Sequence, residues 1–198
     1  MRCLYCDSEI NKESFYSMFI EEDKLCLNCR KALKLNRRII DLDGLKVECF
    51  YDYNSLFKSL ILQYKECHDE ALSTVFLYGL KEYIEFKYRN FKIVYMPSSM
   101  QKLELRGFNH LDLIFKDLNL TKIDGLVYKN ELVQEGKNRQ DRIKMIDNFV
   151  YFGQKYEKIL IVDDVLTTGS SFIGAYRALR PYCTKISGLS LSTSFCKK

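Results

Sequence analysis

The sequence lacks the features of a membrane-spanning or exported chain. No apolar run approaches the roughly 18–20 residues that a helix needs to cross a bilayer. The start, MRCLYC, has no apolar stretch behind a basic segment, so no signal peptide is indicated. No long low-complexity stretch indicates disorder. We therefore expect a protein without a transmembrane segment that resides in the cytoplasm, with peripheral attachment at the inner membrane as an open alternative.

Histidine is scarce, and net charge is small. Neither of the two histidines, His68 and His110, has the spacing of a catalytic triad or a metal site. We expect both to be structural or surface residues. The net charge of +5 is compatible with a polyanionic partner but is too small to require one. A chain of 198 residues has room for one medium α/β domain and a small appendage.

The sequence contains eight cysteines. Disulfides are rare in the reducing compartment expected for this chain, so this number of cysteines favours metal ligation. Two CxxC pairs, separated by 19 residues, predict a four-thiolate zinc site, which is structural because no coordination position stays open. Iron–sulfur ligation and four unrelated thiols are the alternatives. The predicted metal ligands are Cys3, Cys6, Cys26 and Cys29. The other cysteines lack paired spacing and are expected to be buried small apolar residues, namely Cys49, Cys67, Cys183 and Cys196.

A basic cluster follows the second CxxC pair. Residues 30–38 have the pattern of a basic helix with its cations mostly on one side. Such a cluster could follow the phosphate backbone of single-stranded DNA, with Phe15, Tyr16 and Phe19 stacking on bases. A solvated linker helix beside a small aromatic core is the alternative. The predicted nucleic-acid contacts are Arg30, Lys31, Lys34, Arg37 and Arg38.

From residue 45 onward, strand patterns alternate with helix patterns. This alternation predicts an α/β fold with a mostly parallel open sheet flanked by helices. We divide the chain into a zinc-finger module, residues 1–34, and an α/β domain, residues 45–198. Predicted strands cover 47–53, 91–97, the stretch around 124–130, 157–164 and 185–194. Predicted helices cover 55–66, 72–86, 111–120 and 170–182.

The most informative segment is ILIVDDVLTTGSS, residues 159–171. Its four leading apolar residues predict a strand buried on both faces. Asp163 and Asp164 follow at the carboxyl end, which is the edge of an open sheet where ligands bind. Gly169 then allows a turn whose N–H groups converge on an anion at the start of a helix. Backbone amides would hold a sugar phosphate, while the two carboxylates accept hydrogen bonds from vicinal ribose hydroxyls.

Three alternatives to a sugar-phosphate site share some of these residues. An ordinary capped helix after a buried strand would also contain serine and threonine. A receiver domain has acidic residues after an apolar strand, but near its N-terminus and without TTGSS. A nucleoside-triphosphate loop requires GxxxxGK[ST], which the sequence lacks.

The same thirteen residues resemble the phosphoribosyl pyrophosphate (PRPP) signature of type I phosphoribosyltransferases at every position. The resemblance implies a type I phosphoribosyltransferase fold for residues 45–198. It also implies that the two aspartates hold the ribose 2′- and 3′-hydroxyls and that the residues after them cradle the 5′-phosphate. The implied PRPP contacts are Asp163, Asp164, Val165, Leu166, Thr167, Thr168, Gly169, Ser170 and Ser171.

Three further features narrow the resemblance. RGFNH (106–110) follows a strand end MPSS (96–99), Tyr64-Lys65 precedes Asp69, and the four cysteines lie at the N-terminus. Together they are similar to the ComF family, amidophosphoribosyltransferase-like proteins associated with natural transformation. The family typically has RGFNQ, so His110 is a departure, and Cys67-His68 stands where a glycine is expected.

The resemblance also implies how pyrophosphate would be held. In type I enzymes the loop after the second core strand binds pyrophosphate, which here gives Ser98 and Ser99, with Lys102 and Arg106 as nearby cations. A solvated surface charge is the alternative for Arg106.

Residues 131–148 would form a mobile hood over the reacting centre. Either Gln134 or Gln140 could be the family glutamine, and a solvated helix start is the alternative for this segment. The implied catalytic residues are Arg106, Lys137 and Arg139.

Two functions are consistent with these features. One is a ComF-type protein that binds PRPP and single-stranded DNA, with other transformation-machinery proteins as further partners. The other is an enzyme that transfers the phosphoribosyl group from PRPP to a nitrogen nucleophile. Magnesium bridging pyrophosphate and ribose hydroxyls would accompany PRPP, and such a transfer needs no strong protein base.

Overall fold

The computed structural model describes residues 1–10, 22–98, 104, 107–129 and 148–195. The strands are β1 (Leu35–Leu42), β2 (Leu45–Asp52), β3 (Lys92–Tyr95), β4 (Leu126–Tyr128), β5 (Phe149–Tyr151), β6 (Tyr156–Leu166) and β7 (Cys183–Thr193). The helices are α1 (Leu27–Ala32), α2 (Ser55–Glu66), α3 (Lys81–Tyr88), α4 (His110–Phe115) and α5 (Ser170–Leu179). Single 3-10 turns cover Glu70–Val75 and Arg180–Tyr182.

The main sheet has the order β1-β2-β7-β6-β3. Strands β2, β7, β6 and β3 are mutually parallel, and β1 pairs with β2 in the antiparallel sense. Strands β4 and β5 form a separate two-stranded antiparallel sheet. The predicted mixed α/β fold with a mostly parallel sheet is confirmed.

Burial explains why β6 occupies the interior of the sheet. Ile159, Leu160, Ile161 and Val162 are all fully buried, as expected for a parallel strand covered on both faces. On the adjoining β7, a Cβ atom at Gly188 would lie 2.7 Å from Val47 and 3.1 Å from Phe172 of α5. This glycine therefore lets helix α5 pack closely on the sheet and so helps to place the loop that precedes α5.

Helix α2 has the predicted bounds, 55–66. It begins where the side chain of Asn54 accepts a hydrogen bond of 2.9 Å from the backbone N–H of Phe57. Its apolar side chains recur at helical spacing and face the core: Leu56, Phe57, Leu60, Ile61 and Tyr64. This packing fixes the end of α2, where Lys65 follows Tyr64.

Two predicted helices are shorter than expected. Residues 72–86 do not form one helix, because Gly79 adopts a left-handed φ of 70° and α3 begins only at Lys81. The helix predicted at 111–120 ends at Phe115. In contrast, β6 continues two residues beyond the predicted end at 164.

Strand β1 was predicted as part of a basic helix covering residues 30–38, and that prediction is wrong. Helix α1 ends at Ala32, and residues 35–42 form an edge strand. Only Leu42 of this strand is buried, so the sequence shows no alternation of apolar and polar residues. Strand β5, which has three residues, was also not predicted.

The N-terminal segment packs onto the sheet domain. Leu25 and Leu33 belong to the same buried core as the sheet residues. Arg30 donates a hydrogen bond of 3.0 Å to the carbonyl of Val75, and its guanidinium lies 4.9 Å above the ring of Tyr78. None of the described helices combines the length and the apolar composition needed to cross a membrane.

Candidate functional site

Two adjacent carboxylates lie at the carboxyl end of β6. Asp164 is buried and Asp163 is half-buried, and the backbone N–H of Asp164 donates a 2.9 Å hydrogen bond to the carboxylate of Asp163. Because β3 and β7 run parallel to β6, their carboxyl ends reach the same edge of the sheet. The two aspartates therefore lie at the sheet edge where the sequence pattern predicts them.

The loop after β6 leads directly into α5. Gly169 adopts a left-handed conformation, φ 80° and ψ −7°, at the residue before the helix. A Cβ at this glycine would lie 3.0 Å from the side chain of Leu42, at the end of β1. The cap residue Gly169 has no side chain, and the N–H of Ser170 donates a 3.4 Å hydrogen bond to the hydroxyl of Thr168. The exposed Ser171 lies in the first turn of α5. N–H groups and hydroxyls thus occur together at this helix start, which is a common arrangement of anion sites.

The residues of the signature differ in what they offer a ligand. Thr167 and Thr168 are exposed, and the hydroxyls of Thr168 and Ser170 lie 3.0 Å apart. The side chains of Val165 and Leu166 lie on strand β6. Leu166 is 1% exposed and its carbonyl accepts hydrogen bonds from Thr193 and Ser194. The side chain and the carbonyl of Leu166 are therefore both engaged within the protein.

Ser98 reaches the same edge from the neighbouring strand. The N–H of Met96, just after β3, donates a 2.8 Å hydrogen bond to the carbonyl of Val162 on β6. This bond aligns the ends of β3 and β6, and Ser98, which is half-buried, follows two residues later. Its hydroxyl is 3.5 Å from Nδ1 of His110.

Lys65 supplies a cation to this site, and the sequence had suggested no role for it. Its ammonium group forms a salt bridge and hydrogen bond with Oδ2 of Asp164, and the two side chains are 17% and 10% exposed. The residue before it, Tyr64, donates a 2.6 Å hydrogen bond to the carbonyl of His110. The Tyr64-Lys65 pair at the end of α2 thus contacts both the carboxylate pair and the start of α4. The resemblance of this dipeptide to the family was the available signal.

Residues 107–110 of the RGFNH segment determine the position of His110. Gly107 has a left-handed φ of 73°, and the ring of Phe108 lies 5.6 Å from that of Tyr64. Asn109 accepts a 3.1 Å hydrogen bond from the N–H of Leu111 and so caps α4. His110 then occupies the first position of α4, with Nε2 3.8 Å from Oδ1 of Asp164.

The expectation that His110 stands apart from any metal-like cluster is wrong. One ligand atom from each of His110, Asp163 and Asp164 lies within 4.8 Å of the others. This juxtaposition arises from separate segments of the chain, which is why spacing along the sequence did not reveal it. Two carboxylates can bind a divalent cation through oxygen, as magnesium prefers.

The two carboxyl groups have opposite electrostatic environments. Burial raises the pKa of Asp163, and the adjacent charge of Asp164 raises it further. Burial would also raise the pKa of Asp164, but the imidazole of His110 and the ammonium of Lys65 outweigh it and hold the pKa well below its usual range. Asp164 is therefore the carboxylate that stays ionised.

Several predicted site residues lie outside the described part of the chain. They are Ser99, Lys102, Arg106, Gln134, Lys137, Arg139 and Gln140, together with Phe15, Tyr16, Phe19 and Cys196.

The basic cluster predicted to contact nucleic acid does not form one helical face. Arg30 pairs with Asp23 at 2.6 Å, and its side chain is 18% exposed. Lys34, just before β1, and Arg38, on β1, both pair with Asp52, at 3.2 and 2.6 Å. Arg37 lies 3.8 Å from the buried Glu48. Four of the five predicted contacts are thus already beside carboxylates, and Lys31 is the exposed exception on α1.

The four N-terminal cysteines come together as predicted. Their Sγ atoms all lie within 4.8 Å of one another, and those of Cys6 and Cys26 are 3.7 Å apart. A tetrahedral zinc ion with Zn–S bonds of about 2.3 Å requires about 3.8 Å between sulfurs. Hydrogen bonding from Ser8 lowers the pKa of Cys26 to about 6, which favours the thiolate that a metal needs. The cluster could hold a metal such as zinc.

The remaining cysteines follow the prediction only in part. Cys49 is fully buried and Cys183 is half-buried, but Cys67 is exposed because it follows the last turn of α2. All described cysteines are free thiols.

No family model matches this chain. Two curated relatives are named Competence protein ComFC. The one from Streptococcus pneumoniae (strain ATCC BAA-255 / R6) is 28% identical over 178 residues, covering 85% of this chain and 76% of the relative. The one from Bacillus subtilis (strain 168) is 24% identical over 210 residues, covering 89% and 88%. These homologues, which align over most of the chain, confirm the resemblance to the ComF family.

Solved structures similar to this chain include two orotate phosphoribosyltransferases. The one from Aeropyrum pernix has a TM-score of 0.35 and 15% identity, covering 84% of this chain and 91% of that one. The one from Mycobacterium tuberculosis H37Rv, in complex with Fe(III) dicitrate, has a TM-score of 0.36 and 11% identity, covering 84% and 95%. At these TM-scores the likeness supports no inference about a ligand.

Proposed function

We propose that this homologue of the ComFC competence proteins is a ComF-type protein of natural transformation that binds PRPP at the carboxyl end of β6. The observation that carries the proposal is the arrangement of groups along one edge of the sheet. Asp163 and Asp164 lie near the carboxyl end of the buried strand β6, and the left-handed Gly169 then leads into α5. Lys65 contacts Asp164, and Ser98 contacts His110 beside the same carboxylate.

Each part of PRPP would have its own partners in this arrangement. The 5′-phosphate would accept hydrogen bonds from the N–H groups at the start of α5 and from the hydroxyls of Thr168 and Ser171. The ribose hydroxyls would donate to the carboxylates of Asp163 and Asp164. Ser98, at the end of β3, would contact the pyrophosphate. A magnesium ion bound with PRPP would neutralise charge on the pyrophosphate oxygens.

The ion pair between Lys65 and Asp164 affects how the ligand would bind. Its ammonium group occupies one oxygen of Asp164, so the ribose hydroxyls would share this carboxylate with Lys65 or displace it. If it is displaced, Lys65 would be released next to an anionic ligand, where its charge is again compensated. We therefore expect Lys65 to tune affinity for PRPP rather than block it.

Calorimetric titration with PRPP and magnesium tests the pocket. Wild type should release or absorb heat at a one-to-one ratio, and Asp164→Ala should lose at least about tenfold in affinity, since a hydrogen bond to a charged group contributes about 1.5–3 kcal/mol. Asp117→Asn, which changes an exposed carboxylate just after α4, is the matched control and should bind like wild type. Absence of heat with folded wild type would exclude the PRPP pocket.

The alternative function is an enzyme. In that reaction the bond between C1′ and the pyrophosphate oxygen breaks, and pyrophosphate leaves with both electrons. A bond from C1′ to a nitrogen nucleophile forms, and the nitrogen then loses a proton to water or to the departing pyrophosphate. The pair of carboxylates beside Lys65 favours this candidate, because a pocket that binds PRPP would also support chemistry. Pyrophosphate release from PRPP in the presence of ammonia or an amine, abolished in Asp164→Ala, would establish turnover. Binding without pyrophosphate release would leave a binding protein.

The N-terminal module and the cellular location complete the proposal. We propose that residues 1–34 form a structural zinc module held by its four cysteines and that residues 45–198 form the phosphoribosyltransferase-like domain. We place the protein in the cytoplasm, with peripheral attachment at the inner membrane as the alternative, and expect single-stranded DNA and other transformation-machinery proteins as partners. Free thiols at all described cysteines suit a reducing compartment. Metal analysis of the purified protein should give one zinc per chain.

A further inference from the structure

The opposite edge of the sheet carries a second concave surface. Two adjoining cavities, of about 300 Å³ and about 520 Å³, lie where β3, β6 and β7 begin. They share Arg89, Asn90, Phe91 and Lys158. We call this surface the amino-end groove and define it by six residues: Phe86, Lys87, Arg89, Lys92, Lys158 and Lys185.

The amino-end groove concentrates positive charge. Five of its defining residues are cations, and Glu157 is the one acidic residue among the described residues that line these two cavities. Lys158 of β6 is in direct register with Lys185 of β7, which places two like charges side by side on adjacent strands. Such a pair is unfavourable in the absence of a counter-ion. An anion between the two strands would relieve this repulsion.

Internal carboxylates neutralise only part of this charge. Lys87 pairs with the buried Glu48 at 2.8 Å, and Lys158 pairs with the exposed Glu157 at 2.9 Å. Among the described residues, no carboxylate lies within ion-pair distance of the three other cations, which are Arg89, Lys92 and Lys185. The groove therefore differs from the Arg30–Arg38 cluster, where carboxylates lie beside four of five cations.

The groove also presents an aromatic ring to solvent. Phe86 is 73% exposed, and the guanidinium of Arg89 lies 5.4 Å from its ring centroid. Phe91 forms part of the floor, 9% exposed, with Nζ of Lys185 5.9 Å from its ring. A cation beside an exposed ring is suited to a partner that alternates phosphates with flat apolar groups.

We propose that the amino-end groove binds single-stranded nucleic acid, with its cations on the phosphates and Phe86 stacked on a base. A duplex keeps its bases stacked on each other and offers none to Phe86, so the exposed ring favours a single strand. The proposal rests on the single-strand part of the proposed function, which it assigns to a site. It does not depend on the PRPP pocket.

The two sites are far enough apart to be occupied separately. Lys158 and Asp163 lie on the same strand, five residues apart, which corresponds to about 16 Å at about 3.3 Å per residue. A nucleic-acid strand in the groove would thus leave the carboxyl edge accessible.

Fluorescence anisotropy with a labelled oligo-dT tests the groove. The double variant Lys158→Gln/Lys185→Gln should bind at least about tenfold more weakly at low salt. Its salt slope should fall by about 1.4, since each phosphate contact contributes about 0.7 for single strands. The matched control is Lys34→Gln/Arg38→Gln, which removes two cations already paired with Asp52 and should change binding less than twofold.

Stacking is tested separately from charge. Phe86→Ala should weaken binding of oligo-dT at least about fivefold, the low end of the alanine-substitution range for base stacking, and should leave binding of an abasic phosphate backbone unchanged. Phe152→Ala, which removes another exposed phenylalanine, 60% exposed and away from the groove, should bind like wild type. Lys185→Gln alone provides a milder variant if the double variant unfolds.

Each other outcome overturns the proposal. Absence of oligo-dT binding by wild type, a larger loss in the Lys34/Arg38 variant, or an unaffected Lys158/Lys185 variant would each remove the groove as the binding site. Binding of anionic phospholipid vesicles, but not oligo-dT, with the same dependence on Lys158 and Lys185 would assign the groove to a membrane surface. PRPP calorimetry on the groove variants should match wild type, so failure of the pocket and failure of the groove remain distinguishable.

Discussion

The opposite environments of Asp163 and Asp164 predict opposite effects of the same substitution. Asp164 forms a largely buried ion pair with Lys65, whereas Asp163 sits beside the charge of Asp164. Asp164→Asn removes the partner of a lysine that is only 17% exposed, whereas Asp163→Asn removes a carboxyl group whose ionisation is opposed by burial and by the charge of Asp164. Asparagine has nearly the same shape as aspartate, so the comparison isolates charge.

The magnitude follows from the burial of the pair. Two unit charges about 4 Å apart interact by about 4 kcal/mol at an effective dielectric constant of about 20. Removing one partner of a buried pair typically costs about 3–5 kcal/mol. Because Lys65 keeps some exposure and can turn towards water, we expect Asp164→Asn to lower the free energy of unfolding by about 2–3 kcal/mol. Asp163→Asn should stay within about 1 kcal/mol of wild type or be more stable.

Urea unfolding followed by circular dichroism at neutral pH measures these free-energy differences, and thermal unfolding measures the melting temperature. The melting temperature should fall by about 4–12 °C for Asp164→Asn, at about 2–4 °C per kcal/mol for a chain of this size. Lys65→Met combined with Asp164→Asn should recover at least about 1 kcal/mol relative to the sum of the single losses. Equal destabilisation by Asp163→Asn and Asp164→Asn would refute the electrostatic reasoning.

Three further predictions concern the loop, the metal site and pH. Gly169→Ala should destabilise the protein by about 1–2 kcal/mol and weaken PRPP binding, because alanine is strained at φ 80° and its Cβ would press on Leu42; calorimetry and thermal melting measure both. Cys26→Ser should lose the metal and lower the melting temperature, whereas the exposed Cys67→Ser should do neither, as metal analysis and melting can show. The raised pKa of Asp163 means that this residue contributes stability below its unfolded pKa of about 3.9 and loses that contribution as pH rises through the raised value. Urea unfolding between about pH 4 and pH 8 should therefore show a smaller decline of stability with rising pH in Asp163→Asn, and identical profiles would contradict the shift.

Local patterns predicted the parts of this protein whose residues are close together in the chain. Four consecutive apolar residues predicted the buried strand β6, and apolar residues at helical spacing predicted the bounds of α2. Two CxxC pairs predicted that four sulfurs would meet. For the strand and the helix, neighbouring residues carry the full physical reason, namely burial on both faces or helix periodicity. For the cysteines, the spacing within each pair provided the signal.

Edge and surface elements were predicted poorly, for a related reason. Strand β1 buries only its last residue, so its side chains show no period of two, and its arginines suggested a helix instead. The interruption near Gly79 depends on one left-handed residue inside an apolar stretch. A strand with little burial, or a single residue with left-handed backbone angles, produces no recognisable pattern of apolar and polar residues in the sequence.

The surroundings of Asp163 and Asp164 could be predicted from the sequence only in part. Adjacent residues in the chain predicted that Asp163 and Asp164 would lie near the end of a buried strand and precede a glycine turn. Only the tertiary structure brought Lys65 and His110 to Asp164, and Ser98 to His110, from three separate segments. Likewise, only strand register placed Lys158 beside Lys185. Charge acts through distances of a few ångströms in space, and those distances are decided by packing and register rather than by position along the chain.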